Sequence, residues 1–174
     1  MPKGPLAGVL VALSLTAAAC SGSSTPSGTP AQLLQKGINA ESAGNYDLAL
    51  TYYQAVLAKQ PSNIDAIYDI GTVYQTRHQN TQAATWFRRA ISVNPNFAPA
   101  LYDLGIIVAA TNPAGAIPLF QQAVDAQPTN ANAWFNLGVL QYRQGQVAQG
   151  RASLERAISL NAALRAQVPP DVKL

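Results

Sequence analysis

From Pro30 to Leu164, apolar residues recur at spacings of three and four, the mark of amphipathic helices. The pattern predicts helices over 31–43, 46–59, 64–77, 80–93, 98–110, 113–126, 131–144 and 147–160. The helical pattern itself repeats. Gly37, Gly71, Gly105 and Gly138 are separated by 34, 34 and 33 residues. Pro61, Pro95 and Pro128 keep the last two steps, as do Ala49, Ala83 and Ala116, and Tyr53, Phe87 and Phe120. Four residue classes in one register mark an array of repeated units, since self-similarity at a fixed period is how such architectures are written.

The residue types explain why the units stack. Gly71, Gly105 and Gly138 are expected where a partner helix docks against backbone. Ala83, Ala90, Ala116, Ala123 and Ala157 are expected to do the same from the second helix. Overfilling such a contact costs about 1–3 kcal/mol. Trp86, Phe87, Phe120 and Trp134 are expected to plug gaps between neighbouring hairpins. The prolines end each second helix. No single hairpin buries its own apolar face, so stability comes from stacking.

The period and these residues resemble the tetratricopeptide repeat, a 34-residue helical hairpin. The second repeat carries the resemblance most fully, through Ile67, Ile70-Gly71, Tyr74, Ala83, Phe87, Ala90 and Pro95. The resemblance implies an all-α, right-handed superhelical solenoid of four repeats, 30–63, 64–97, 98–130 and 131–164. A short C-terminal helical extension is expected to close the array, and residues 165–174 form the tail.

The departures carry their own expectations. Lys36 stands where inner repeats have Ile70, Leu104 and Leu137, which suits an end repeat. Ala162 replaces the terminating proline, so the last helix is expected to run on to about Gln167 until Pro169-Pro170 stops it. In the third repeat one residue is missing between Gly105 and Ala116, and Pro118 falls inside the second helix. A kink or a delayed start is expected there. Gly150 occupies the place of Ala49, Ala83 and Ala116. Helix glycine costs ~0.5–1 kcal/mol against alanine, so Gly150→Ala is expected to be neutral or stabilising.

The first thirty residues differ in kind. After Lys3, the uncharged apolar or small stretch Leu6 to Ala19 is shorter than the ~20 residues of a membrane span and fits the h-region of a signal peptide. It ends in Ala17-Ala18-Ala19-Cys20, which resembles a bacterial lipoprotein lipobox, although leucine is commonest at the position of Ala17. The resemblance implies a leader over 1–19 and diacylglycerol on the Cys20 thiol. Cys20 is the chain's one cysteine, so no intrachain disulfide is available. Residues 20–29 then read as a flexible Ser/Thr/Gly/Pro tether. The expected location is extracytoplasmic, on a membrane, through a lipid anchor.

Charge and chemistry exclude more than they add. The pI is about 9.2, yet the net charge is only +3, and +2 without Lys3. The cations are scattered, so no nucleic-acid surface is expected. His78 sits in a predicted turn with no second ligand at metal spacing. The acids form no close sequence pair, although Asp69 and Asp103 hold equivalent places in adjacent repeats and could meet in space. No phosphate loop, nucleophile elbow or metalloprotease helix appears. The expectation is a non-enzyme without cofactor or metal.

A binding surface has candidates. The resemblance implies that the first helices of successive repeats line a concave groove. By register it should carry Leu34, Ile38, Tyr68, Asp69, Thr72, Tyr102, Asp103, Ile106, Phe135, Val139 and Tyr142. Some family members clamp a peptide carboxylate with Lys, Arg and Asn. Here the matching places hold Leu34, Ile38, Asp69, Pro99 and Asp103, so that clamp is missing. A weakly acidic, aromatic groove suits an extended or helical peptide with apolar anchors and a basic residue. The leading expectation is a membrane-anchored envelope adaptor with a protein partner. A self-associating module, and then a small-molecule binder or enzyme assembled across the groove, rank below it.

Overall fold

A computed structural model describes residues 26–174; the leader, Cys20 and most of the tether lie outside the described residues. The helices are α1 Pro30–Ser42, α2 Tyr46–Lys59, α3 Ile64–Thr76, α4 Asn80–Val93, α5 Ala98–Ala109, α6 Pro113–Ala126, α7 Ala131–Arg143 and α8 Val147–Leu160. Each boundary falls within one residue of the sequence expectation. A 3-10 helix, Ala162–Gln167, follows. No strand occurs among the described residues. Consecutive helices pair as α1/α2, α3/α4, α5/α6 and α7/α8, and each second helix packs on the next hairpin's first. The result is an open stack.

Local chemistry fixes where helices begin. Thr29 and Gln32 form a capping box ahead of α1, each side chain serving the other's backbone N–H. Asn63 and Asn130 accept from the N–H groups of Ala66 and Ala133 at 2.9 and 3.0 Å, starting α3 and α7. The four second helices end alike. Gln60, Asn94, Gln127 and Asn161 all turn to extended backbone, with φ from −135° to −146°. The first three are followed by Pro61, Pro95 and Pro128.

The fourth stops in the same way without a proline, so the expected helical extension to Gln167 is present, but as a separate 3-10 helix and not as a run-on of α8. Asn161 breaks α8, and its side chain caps the N–H of Ala163 at 3.1 Å. The chain then turns into the 3-10 helix, which buries Leu164. The other departures settle as follows. Pro118 produces no delayed start: α6 begins at Pro113, in step with its counterparts, and Pro118 is its sixth residue. Both Pro118 and Ala114, whose carbonyl loses its helical donor, are exposed, so water can serve that carbonyl. The missing residue is absorbed in α5, which has 12 residues where α1, α3 and α7 have 13. Its turn also lacks the left-handed residue found at Gly44, His78 and Gly145, with φ of 77°, 59° and 83°. Lys36 is exposed at the end of the stack, with its ammonium 5.9 Å from the Tyr52 ring centre.

Within a hairpin, glycine on the first helix meets a large side chain on the second. A Cβ on Gly37, Gly71 or Gly105 would come within 2.4, 2.5 and 2.9 Å of the rings of Tyr53, Phe87 and Phe120. These rings are essentially fully buried. Phe87 and Phe120 therefore fill the gap inside their own hairpins, not only the gap between neighbours that the sequence suggested. Trp86 and Trp134 stay half-buried: Arg89 stacks 5.0 Å from Trp86, and Trp134 donates its indole N–H to the Pro128 carbonyl at 3.0 Å.

The fourth hairpin is built differently. A Cβ on Gly138 would lie 2.7 Å from the Leu154 side chain and 2.8 Å from the carbonyl oxygen of Gly150. A Cβ on Gly150 would lie 2.6 Å from the backbone nitrogen of Tyr142 and 2.8 Å from the carbonyl oxygen of Gly138. Backbone faces backbone here, and neither atom can swing aside. The expectation that Gly150→Ala is neutral or stabilising is overturned: the helix register holds, but the contact has no room for a methyl group. Beside it, Ser153 donates to Gln141 at 2.8 Å, a buried hydrogen bond between α7 and α8.

Candidate protein-binding groove

The first helices stand side by side, and polar rungs tie each to the next. Thr72 of α3 donates to Glu41 of α1 at 3.3 Å. Tyr68 of α3 donates its hydroxyl to Asp103 of α5 at 2.7 Å. Asn136 of α7 reaches the Tyr102 hydroxyl of α5 at 3.5 Å. The last two share one register, a residue of one repeat reaching the position after the equivalent residue in the next. The first repeat breaks it. Leu34 stands where a tyrosine would serve Asp69, and among the described residues no side chain donates to the Asp69 carboxylate.

Burial and neighbouring carboxylates, with no donor to offset them at Asp69, set the electrostatics of this face. Asp69 is pushed up to about 7, first by burial and then by the charges of Glu41 and Asp65. Burial also raises Asp103, opposed by the hydrogen bond from Tyr68. Asp69 and Asp103, the pair the sequence left open, thus have different surroundings: the acidic neighbours of Asp69 are Glu41 and Asp65. Glu41 also accepts from the buried Tyr53 hydroxyl at 2.7 Å. Burial, with these carboxylates, drives the Tyr53 and Tyr68 hydroxyls well above the ordinary range.

The apolar part lies toward the other end. Ile106 and Ala109 of α5 and Phe135, Val139 and Leu140 of α7 line an open cavity of about 310 Å³, with Phe120 and Asn136 beside them and Pro169 of the tail. Ile106 is 39% exposed, and Ile38 at the opposite end is 40% exposed, so both offer apolar area to a visitor. Tyr68 and Tyr102 belong more to the scaffold than the sequence implied. Tyr68 packs 5.6 Å from Phe87 and 5.4 Å from Phe97, and Tyr102 packs 5.8 Å from Phe120. Leu34 is half-buried against the core, and Tyr142 is half-buried over Gly150.

Glu41, Asn136 and Pro169 are additions to the surface read from the sequence. Asn136 was within reach, since it follows Asp69 and Asp103 at the repeat spacing. Pro169 lies beyond the repeats, where the sequence marks it only as the stop of the helical extension. Among the described residues, no group of three or more His, Cys, Asp or Glu side chains could hold a metal ion. No helix among them is long and apolar enough to cross a membrane.

Similar proteins place this architecture. The solved structure of MamA protein matches with a TM-score of 0.69 at 22% identity, over 79% of this chain and 76% of that one. TTC0263, a thermophilic TPR protein in Thermus thermophilus, matches with a TM-score of 0.61 at 18% identity, over 77% and 75%. A Thermobaculum terrenum O-GlcNAc transferase mutant shares the fold at 24% identity and a TM-score of 0.57, over 65% of this chain but only 22% of the enzyme. At these identities the likeness is one of fold. No curated protein matches the chain in sequence. Two family models described as tetratricopeptide repeat match residues 40–106 and 108–171, together three quarters of the chain. A repeat stack of this kind is a scaffold suited to protein–protein interaction, and the chain belongs to the tetratricopeptide repeat family.

Proposed function

We propose that the chain is a lipid-anchored adaptor of a bacterial cell envelope that holds a segment of a partner protein in the groove of its first helices. The observation that carries the groove reading is the open apolar cavity between α5 and α7, flanked by the exposed Ile106. A scaffold with no further use for that face would gain little by leaving it apolar. The anchor reading rests on the leader, the Ala-Ala-Ala-Cys20 sequence and the tether ahead of Thr29. The tail bears on the self-association alternative. Leu164 and Val172 are buried against the end of the stack, and Asp171 pairs with Arg143 through two contacts of 2.9 and 3.0 Å. That end is already covered, which counts against pairing through it.

Two experiments test the reading. Affinity capture from envelope extract compares the parent chain with Ile106→Ser/Val139→Ser, with folding checked by circular dichroism. The double variant should lose the partner. Equal recovery of the same proteins from folded variant and parent would refute the groove. For the anchor, Cys20→Ser should lose the lipid mass and leave the membrane fraction. A variant that stays there would refute lipidation.

A further inference from the structure

The charges of this chain are segregated by helix. The first helices carry Glu41, Asp65, Asp69 and Asp103, against Lys36 and Arg143. Neither cation serves the groove acids. Lys36 is exposed over Tyr52 of α2, and Arg143 is taken by Asp171. The second helices carry Lys59, Arg88, Arg89, Arg151 and Arg156, against Asp47, Asp125 and Glu155. A mildly basic protein therefore presents an acidic first-helix face. That face is also divided along its length, with Glu41 and Asp69 toward α1 and α3 and the apolar cavity between α5 and α7.

We infer that the groove takes an extended segment bearing one Arg or Lys side chain and one large apolar side chain about six residues apart. The basic group would lie at Glu41 and Asp69, and the apolar group in the cavity of Ile106, Phe135 and Val139. This rests on the groove reading above and names the chemistry of its partner. Charge complementarity selects the basic group: the Asp69 carboxylate has no donor from the protein among the described residues, unlike Asp103, which Tyr68 serves. A guanidinium or ammonium would supply donors and positive charge together. The fold sets the spacing. Successive first helices are joined chiefly by side-chain rungs, so each step sits at the upper end of helix spacings, about 10 Å, and two steps, from between α1 and α3 to between α5 and α7, span about 20 Å. An extended chain covers about 3.3 Å per residue, so the two side chains must stand about six residues apart.

The test uses fluorescein-labelled synthetic peptides of twelve residues, Gly/Ser throughout except for one Arg and one Leu. Arg and Leu are placed three, six or nine positions apart, and binding to the full chain is read by fluorescence anisotropy. Six should bind best, about tenfold tighter than three. Replacing Arg by Gln should cost about tenfold, the size expected for one charge-assisted contact. That advantage should shrink with salt. Asp69→Asn with Glu41→Gln should erase the preference for Arg while leaving the preference for Leu, and Ile106→Ser should do the reverse. If Ile106→Ser weakens every peptide alike and neither charge nor spacing matters, the groove binds but the inference is overturned. If Ile106→Ser/Val139→Ser changes nothing, or no peptide binds, the groove reading falls with it.

Discussion

The second and fourth hairpins answer the same steric problem in opposite ways. Residues 67 positions apart are equivalent in them: Gly71 and Gly138, Ala83 and Gly150, Phe87 and Leu154. In the second, a phenylalanine ring fills the gap against the glycine, and an alanine completes the contact. In the fourth, the large residue shrinks to leucine and the alanine to glycine, and the helices meet backbone to backbone. The stack tolerates either solution, because each hairpin contacts only its neighbours. A glycine that looks like a flaw against the repeat pattern is thus the residue that permits the closer approach.

Exchanging residues between the two hairpins breaks or sharpens this comparison. The largest effect should come from Gly150→Ala, which moves the alanine of the second hairpin into the fourth. A loss of about 1–3 kcal/mol is expected in chemical or thermal unfolding. Truncating Leu154 should not recover it, since the obstructing atoms belong to the backbone of Tyr142 and Gly138. Gly71→Ala should cost about as much, but its obstruction is the Phe87 ring, which can be replaced. Gly71→Ala/Phe87→Leu should therefore unfold later than the sum of the single losses predicts, a coupling that a double-mutant cycle reads directly.

Next in size is Asp69→Asn, which gives the second hairpin the side chain of Asn136. The folded carboxyl titrates at about 7 against 3.8 for the unperturbed group. Between those values the folded state keeps a proton that the unfolded chain has released, so stability falls as pH rises through that window and levels off above it. A neutral amide at this position carries no such penalty. The substitution should therefore raise the melting temperature by about 2–4 °C at pH 8, on the order of 1 kcal/mol after allowance for solvent, and change little at pH 4. An equal gain at both pH values would contradict the assigned cause. The smallest effect should be that of His78→Gly, which copies Gly145. His78 holds φ at 59° in an exposed turn, so glycine should stabilise by about 0.5–1 kcal/mol in equilibrium unfolding.

The comparison also shows which parts of the molecule its sequence could announce. Helix spans and their pairing were legible because apolar spacing, glycine and proline recur on one period. The interior of the fourth hairpin was not, because a consensus position tells which residue is usual there and not how close the helices approach. The break between α8 and its extension was not legible for a related reason: Asn161 ends the helix by its own conformation and caps the next turn, so no proline is needed. The candidate groove residues fall on successive first helices as their register predicts, but which of them satisfy one another could not be read from it. Tyr68 and Asp103 are 35 residues apart, and only the stack's geometry shows that they satisfy each other while Leu34 leaves Asp69 without a donor.

The most direct test of the account places a photo-crosslinking amino acid, p-benzoylphenylalanine, at one exposed position at a time in cells that make the chain. Ile38 and Ile106 lie on the first helices, whereas Leu48 and Val147 lie on the second; all four are exposed, at 39–45%. The account predicts a partner adduct from positions 38 and 106 and none from 48 and 147. Adducts from 48 or 147 alone would contradict it and move the binding surface to the second helices.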